Sequence, residues 1–306
     1  MASDAKRRLK IGVGIPSTGR SDILAGTVPL IDKQTRLPEK IVLCTLKPSD
    51  VPANIGEGMK VPVTALLSTP GLAKQRNQIL REHADMDILL FLDDDFLMAP
   101  NYIAEVERLF LEQSDIVVAT GDVLVDGIGT PGIQVAEGAV ILKALLEDPE
   151  DSPETLENVY NGYGCNMSLR MDVLRRENIQ FDENLPLYCW LEDVDLSRLL
   201  AKHGRIVKSY RQRGIHLGVK SGRTSGIKLG YSQIANPHYL ARKGTMLTSK
   251  AVIMAAKNVL ANAAGSFSPE SWIDRKGRLK GNGLALLDLL RGRISPSGIL
   301  TVEKAD

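Results

Sequence analysis

Asp93, Asp94 and Asp95 stand together at the end of an apolar run, Ile88-Leu89-Leu90-Phe91-Leu92. Three adjacent carboxylates repel one another unless a cation offsets them. Hard divalent ions such as Mg²⁺ and Mn²⁺ take oxygen ligands and bridge to phosphate oxygens. The triplet alone also fits a solvated acidic turn that caps a helix. A second acidic group, Glu192-Asp193-Val194-Asp195, opens an apolar helical pattern. The helix dipole favours ionised carboxylates there. An ionised Asp that reaches the proton of an alcohol acts as its general base, although acidic first turns also occur without chemistry. The two groups together are more specific than either alone.

These side chains need a frame. The run before Asp93 is short, apolar and bounded, and reads as a buried strand. In open α/β sheets, ligands bind outside the carboxyl ends of strands. Further strands are expected over residues 9–15, 39–46, 61–67, 115–119 and 205–210, with a short one inside 162–170. A helix after Ser21 is short or kinked because of Pro29. Residues 72–84 form a helix with Leu72, Ile79 and Leu80 on one face. Another starts near Pro100, with Ile103, Val106, Leu109 and Phe110 inward. The helix opened by Glu192 carries Leu196, Leu199 and Leu200 on one face and stops at Gly204. Residues 121–134 read as irregular, 139–159 as an apolar stretch followed by an acidic loop, and 214–230 as a mobile Gly-rich loop. His238 reads as a loop residue. Amphipathic helices are expected at 239–262 and 284–291, joined by a Lys/Arg-rich turn at 275–280. The alternation predicts an α/β fold, a mostly parallel sheet sandwiched by helices, over residues 1–232. Residues 233–306 form a basic, helical C-terminal extension.

The 306 residues are 43% hydrophobic and 25% charged, values of an ordinary globular protein. The net charge of +1 hides an asymmetry: no Asp or Glu occurs from residue 196 to 269, where Lys and Arg are frequent. Such a balance suggests an anionic ligand or surface. The basic residues are not interleaved with aromatics for base stacking, so no nucleic-acid partner is expected. Cys44, Cys165 and Cys189 are odd in number and far apart, and read as free thiols in a reducing compartment. The N-terminus lacks a signal-peptide apolar region, and no apolar run approaches the ~20 residues that span a bilayer. The expectation is a cytoplasmic protein. Its basic, amphipathic third would dock on the inner face of the plasma membrane, pack on the sheet domain, or form a homodimer interface.

Several motifs fall in one order along the chain: Pro16-Ser17-Thr18 after the first strand, Gly71-Leu72-Ala73-Lys74-Gln75-Arg76-Asn77, Phe91-Leu92-Asp93-Asp94-Asp95, Gly164-Cys165-Asn166-Met167-Ser168-Leu169-Arg170, Phe181-Asp182-Glu183, and Glu192-Asp193-Val194-Asp195-Leu196 with Arg198-Leu199 and Gly204. Over roughly residues 9–216 this pattern resembles the family 2 glycosyltransferases of GT-A fold, of the bacterial surface-polysaccharide type. The resemblance implies an inverting, metal-dependent transfer of sugar from a nucleotide-sugar donor to a glycan or lipid-linked glycan acceptor. It implies that Asp93 to Asp95 are the D-x-D motif, with Asp93 and Asp94 near the nucleotide and Asp93 and Asp95 at Mn²⁺ or Mg²⁺. Asp193 is then the base and Glu192 its orienting partner. Pro16, Ser17 and Thr18 line the nucleoside pocket, and Lys74 and Arg76 help hold the nucleotide. His216 is the candidate third metal ligand, and Lys220 and Arg223 belong to a basic lid over the diphosphate, which would exclude water.

One feature departs from the pattern. Many members hold an Asp to the uracil just after the second strand; here that strand ends Val42-Leu43-Cys44-Thr45-Leu46-Lys47, and Thr45 is the hydrogen-bonding group available. A sugar-1-phosphate nucleotidyltransferase is the rival enzyme, but its Gly-rich phosphate loop is missing from the short turn Pro16-Ser17-Thr18-Gly19-Arg20. A non-catalytic nucleotide- or anion-binding module is the non-enzymatic rival.

Overall fold

The computed structural model describes residues 8–147, 155–221 and 224–302, and the chain forms two compact units. The first comprises Met1–Thr69, Gln75–Gln180 and Leu200–Val219; the second comprises Pro70–Lys74, Phe181–Leu199 and Lys220–Asp306.

The first unit is built on one nine-stranded sheet. Its strands are β1 (Ile11–Pro16), β2 (Lys40–Thr45), β3 (Val63–Leu67), β4 (Ile88–Leu92), β5 (Phe96–Met98), β6 (Ile116–Asp126), β7 (Leu156–Asn158), β8 (Asn166–Arg170) and β9 (Arg205–His216). Their order is β3-β2-β1-β4-β8-β6-β9-β5, with β7 also on β9. β1 and β4 are buried along their whole length, which is why they read as unbroken apolar runs. The unit also contains α1 (Ser21–Thr27), most of α2 (Leu72–Glu82), α3 (Tyr102–Glu112), α4 (Val135–Glu147) and α5 (Met171–Glu177). α3 buries Tyr102, Ile103, Val106, Leu109 and Phe110, the stripe that helical spacing requires. Pro29 ends α1 as expected, and a 3₁₀ turn, Val28–Lys33, follows.

The expected parallel pairing holds among β3, β2, β1 and β4 and between β6 and β9. β8 runs antiparallel to both β4 and β6, and β5 and β7 run antiparallel to β9. A strand buried on both faces shows the same apolar run whichever way its neighbour points, so direction is not legible in it. The expected irregular stretch at 121–134 is corrected at its start. β6 continues to Asp126 and α4 begins at Val135. The far half of β6 is only half-buried, so its apolar signal fades.

The second unit is helical: most of α6 (Glu192–Leu200), α7 (Gly226–Lys243), α8 (Thr248–Gly265) and α9 (Arg275–Leu290). Its core joins Tyr231, Ile234 and Ala235 of α7 to Ala285 of α9 and to Ile299. α7 and α9 touch through glycines: a Cβ on Gly230 would lie 2.0 Å from the Arg278 carbonyl oxygen, and one on Gly281 would lie 2.1 Å from that of Ile227. The helix expected over 239–262 is in fact two, separated at Gly244, whose φ of 85° suits glycine. The expected turn at 275–280 is the start of α9, capped by Asp274. Gly277, Gly281 and Gly283 weaken helix propensity there, which hid the helix. α7 also takes in His238 and the latter part of the expected 214–230 loop, and the boundary expected at residue 232 falls inside it. All three cysteines are free and buried. Among the described residues no helix is long and apolar enough to cross a membrane.

Candidate functional site

Strand register gathers the first group of side chains. β5 pairs with β9 so that Phe96 faces His216, which brings His216 next to the Asp93–Asp95 turn. β6 pairs with β9 so that Asp126 faces His216 as well. The close approach behind them depends on Gly218, whose φ is 66° and where a Cβ would lie 2.1 Å from the Gly127 carbonyl carbon. One donor atom each from Asp93, Asp95 and His216 lies within 4.8 Å of the other two. His216 Nε2 is 3.4 Å from Asp95 Oδ1 and 3.9 Å from Asp93 Oδ2. Its Nδ1 is 2.9 Å from Asp126 Oδ1, and Tyr163 donates its hydroxyl to Asp126 Oδ2 at 3.0 Å.

The electrostatics follow from this packing. Burial alone would lower the His216 pKa, but hydrogen bonds to Asp126 and Asp95 and the nearby carboxylates raise it to about 10. Burial alone would raise the Asp95 pKa, but His216, Arg20 and the Val219 N–H hold it below the usual carboxylate range. The Val219 N–H occupies Asp95 Oδ2 at 2.7 Å, leaving Oδ1 toward His216. Two carboxylates and an imidazole, with a further carboxylate on the far ring nitrogen, form a donor set that suits a divalent metal.

Asp94 points elsewhere. It is 4% exposed, accepts from Ser17 Oγ at 2.5 Å and from Arg20 Nη1 at 2.8 Å, and its pKa is pushed up to about 6 by burial, against the Arg20 charge. It therefore clamps the turn after β1 and has little surface for a nucleotide. Pro16 ends β1 in the core, Ser17 is buried and Thr18 half-buried. Arg76 is 1% exposed, donates to the Gly164 carbonyl at 3.0 Å and lies 3.6 Å from Asp93 Oδ1. It holds Asp93 from beneath. Thr45 is fully buried, its hydroxyl 3.4 Å from the Lys47 carbonyl.

A different carboxylate stands beside that turn. Asp50 ends the 3₁₀ turn Pro48–Asp50 after β2 and is 1% exposed. It lines an open cleft of about 560 Å³ with Gly19, Ser21, Asp22 and Lys47. Its Oδ2 is buried and has no hydrogen-bond partner among the described residues; such an atom costs stability until a donor meets it. Asp50, Arg20 and Asp126 were missed in the sequence. Asp50 lies five residues past the strand end, and the other two are recruited by register and turn geometry.

In the second unit, Glu192 and Asp193 begin α6. Glu192 is buried and Asp193 half-buried, with Oδ1 accepting from the Val194 N–H at 2.7 Å. Asp195 is fully buried and structural: it accepts from Lys243 Nζ at 2.7 Å and Thr245 Oγ1 at 2.6 Å. Lys243 also reaches Asp182 at 2.6 Å, and Tyr239 donates to Asp182 at 2.8 Å. This network ties α6 to α7. The chain enters α6 through Leu187, Cys189 and Leu191, all at positive φ (56°, 51° and 77°), a conformation that costs about 1–3 kcal/mol per residue. The Leu72 N–H to the Leu187 carbonyl, the Ala73 N–H to Cys189 Sγ, and Asn236 to the Trp190 carbonyl hold it. Lys74 lines a cavity of this unit, Lys220 is half-buried, and Arg223 lies outside the described residues.

No family model and no curated protein matches the chain. Solved structures do. The chain is similar to the mannosyltransferase PcManGT from Pyrobaculum calidifontis, in complex with GDP-Man and Mn²⁺, at 17% identity and a TM-score of 0.55, over 98% of this chain and 87% of that one. It is similar to GalNAc-T7 with UDP, GalNAc and Mn²⁺ at 16% identity and a TM-score of 0.54, over 97% and 58%. It is similar to S. aureus TarS at 15% identity and a TM-score of 0.53, over 85% and 44%. The chain thus spans about half the length of the last two. At these identities the likeness is one of fold, and the fold is that of GT-A glycosyltransferases.

Proposed function

We propose that the protein transfers a sugar from a nucleoside-diphosphate sugar to an acceptor hydroxyl, with inversion at the anomeric carbon. The observation that carries this reading is the Asp93–Asp95–His216 donor set at the end of β4, in a sheet unit whose fold is that of glycosyltransferases. Those three residues would hold the metal. An imidazole beside two carboxylates favours Mn²⁺ over Mg²⁺, and two of the similar structures contain Mn²⁺. When bound, the ion offsets the charge that the leaving nucleoside diphosphate gains. Asp126 orients the His216 ring and fixes which nitrogen faces the metal. Asp50 would accept the N–H donors of the base, either uracil N3–H or guanine N1–H and its amino group; GalNAc-T7 was solved with UDP and PcManGT with GDP-Man.

Asp193 takes the proton of the acceptor hydroxyl. The acceptor oxygen bonds to the anomeric carbon as the bond to the diphosphate breaks, and that electron pair leaves with the nucleoside diphosphate. Asp193 lies in the first turn of α6, where the helix dipole favours a negative charge. Glu192 orients the base.

The acceptor is a surface glycan or its lipid-linked precursor. Residues 220–302 carry thirteen Lys and Arg against three Asp and Glu. Ile253 and Leu260 of α8 and Leu290 of α9 are 54%, 68% and 85% exposed. Basic charge beside exposed apolar side chains suits an anionic membrane surface. Co-sedimentation with vesicles containing anionic lipid at low salt is expected, and a protein left in the supernatant sinks the membrane part.

Calorimetric titration with UDP, GDP, dTDP and CMP, with and without Mn²⁺, tests the main reading. One diphosphate should bind, and only with the metal. Metal-independent binding, or none, would falsify it.

A further inference from the structure

The second unit contains an open cavity of about 1190 Å³, and none of the chemistry above uses it. Part of the lining is basic. Lys74 of α2 and Arg242 of α7 line it, and neither has an ion pair or hydrogen bond to another described residue. His238 lines it too, its pKa lowered first by burial and then by the Arg242 charge. Lys243 is present too, but its charge is already matched by Asp182 and Asp195. Glu183 is the one carboxylate among the lining residues. The lining also has an apolar part, formed by Leu185, Leu187, Leu289, Ile294, Pro296 and Leu300. The amides that start α2 do not serve as an anion site, because the Leu72 and Ala73 N–H groups are taken by Leu187 and Cys189. Side chains must therefore read the charge.

We infer that this cavity binds an amphiphilic anion, a phosphate-like head between Lys74 and Arg242 with an attached apolar chain along the Leu289–Leu300 wall. Two cations without an ion partner among the described residues line the space, Lys74 half-buried and Arg242 exposed, and their field favours an anionic ligand. The apolar side rewards a chain and gives a purely polar ligand nothing. Free inorganic phosphate shares the head chemistry but leaves that wall wet. Tyr239 and Lys243 line the cavity and also hold Asp182, and Lys243 holds Asp195 of α6. A ligand seated there therefore braces the helix that carries Asp193.

Calorimetry of the full chain without divalent metal tests this, with octyl phosphate, inorganic phosphate and octyl glucoside as probes. Octyl phosphate should bind at a single site, at least about tenfold tighter than either control, and should raise the melting temperature. Arg242→Glu and Lys74→Ala should each weaken it by about tenfold or more. Leu300 is 51% exposed, so Leu300→Ser leaves the fold intact; it should weaken octyl phosphate and not inorganic phosphate. Octyl glucoside binding as tightly would overturn the anionic head. Inorganic phosphate binding as tightly would overturn the chain and leave a simple phosphate site. Unchanged binding in both basic variants would overturn the location. Asp95→Ala should bind octyl phosphate like the wild type, so failure here and failure of the metal–nucleotide reading are separate results.

Discussion

The two units gather charge in opposite ways. In the first, acidic side chains and one histidine converge because strand ends meet in register: Asp93 and Asp95 after β4, Asp126 at the end of β6, His216 at the end of β9. Like charges lie close together there, an arrangement that a divalent cation would relieve. In the second, Lys74 and Arg242 are far apart in the chain and line one cavity walled by helices and loops. Unmatched positive charge results, and an anion relieves it. The sheet makes a compact site with three donors within 4.8 Å, suited to one ion. The helical unit makes a wide, half-apolar space, suited to an organic molecule.

That division can be broken most sharply at the carboxylates. Asp193→Asn should cut transfer by about 10³-fold or more, with Mn²⁺-dependent nucleotide binding within about twofold of wild type. Loss of nucleotide binding in this variant would move Asp193 to the metal side and break the comparison. Asp95→Ala should do the reverse in calorimetry, lowering Mn²⁺-dependent nucleotide affinity by about 10²-fold or more through a lost ligand. Wild-type affinity there would remove Asp95 from the donor set.

The sheet half was far more legible in the sequence than the helical half, for physical reasons. Asp93–Asp95 were visible because a buried strand ended in three adjacent carboxylates. His216 was reached only through a resemblance. Asp126 could not be found, since its partnership with His216 depends on a β6–β9 register that shifts between Gly121 and Asp122 and again between Val123 and Val125. The resemblance places Asp94 beside the nucleotide as part of the D-x-D motif, and in the structure its side chain is turned to Ser17 and Arg20. In the second unit the apolar periodicity was sound, but glycines at the α7–α9 crossing weakened the helix signal. Those glycines serve packing, not turns.

That packing argument yields the next test. Gly230→Val puts a side chain against the Arg278 carbonyl, where backbone and not a flexible side chain must move. It should destabilise by about 3 kcal/mol, seen as an earlier loss of the far-UV helical signal on heating. An unchanged melt would mean that α7 and α9 do not cross as closely as these glycines require.

Asp126→Asn sharpens the sheet side with a smaller effect. Asn keeps a hydrogen-bond acceptor for His216 Nδ1 but removes the charge that raises the ring's basicity. Mn²⁺ affinity should fall by about 10- to 100-fold, the usual range for an outer-shell carboxylate. Without metal, nucleotide should bind neither the variant nor the wild type. A variant with wild-type Mn²⁺ affinity would make Asp126 a packing residue only.

The smallest expected effect belongs to His83, at the end of α2. The ring is fully buried against Gly12 of β1, with Nδ1 2.8 Å from the Ile79 carbonyl. Burial lowers its pKa from 6.5 to about 4, the Lys40 charge adding to this and Asp85 opposing it. The folded state thus holds the ring neutral while the unfolded chain protonates it near pH 6.5. Stability is therefore full above that pH, falls as pH drops toward 4, and levels below. Between pH 7 and pH 5.5 the loss from this ring alone is about 1 kcal/mol. His216 works the other way over the same interval, because its folded pKa is raised and its contribution grows as pH falls toward 6.5 and below. The wild-type curve alone therefore mixes the two, and the informative quantity is a difference. In urea melts at pH 7 and 5.5, His83→Gln should lose less stability on acidification than the wild type, by about 1 kcal/mol. His216 is the same in both proteins and cancels. Equal acid sensitivity of the two would mean that His83 is protonated in the folded state, and that the sheet unit opens around α2 before it unfolds.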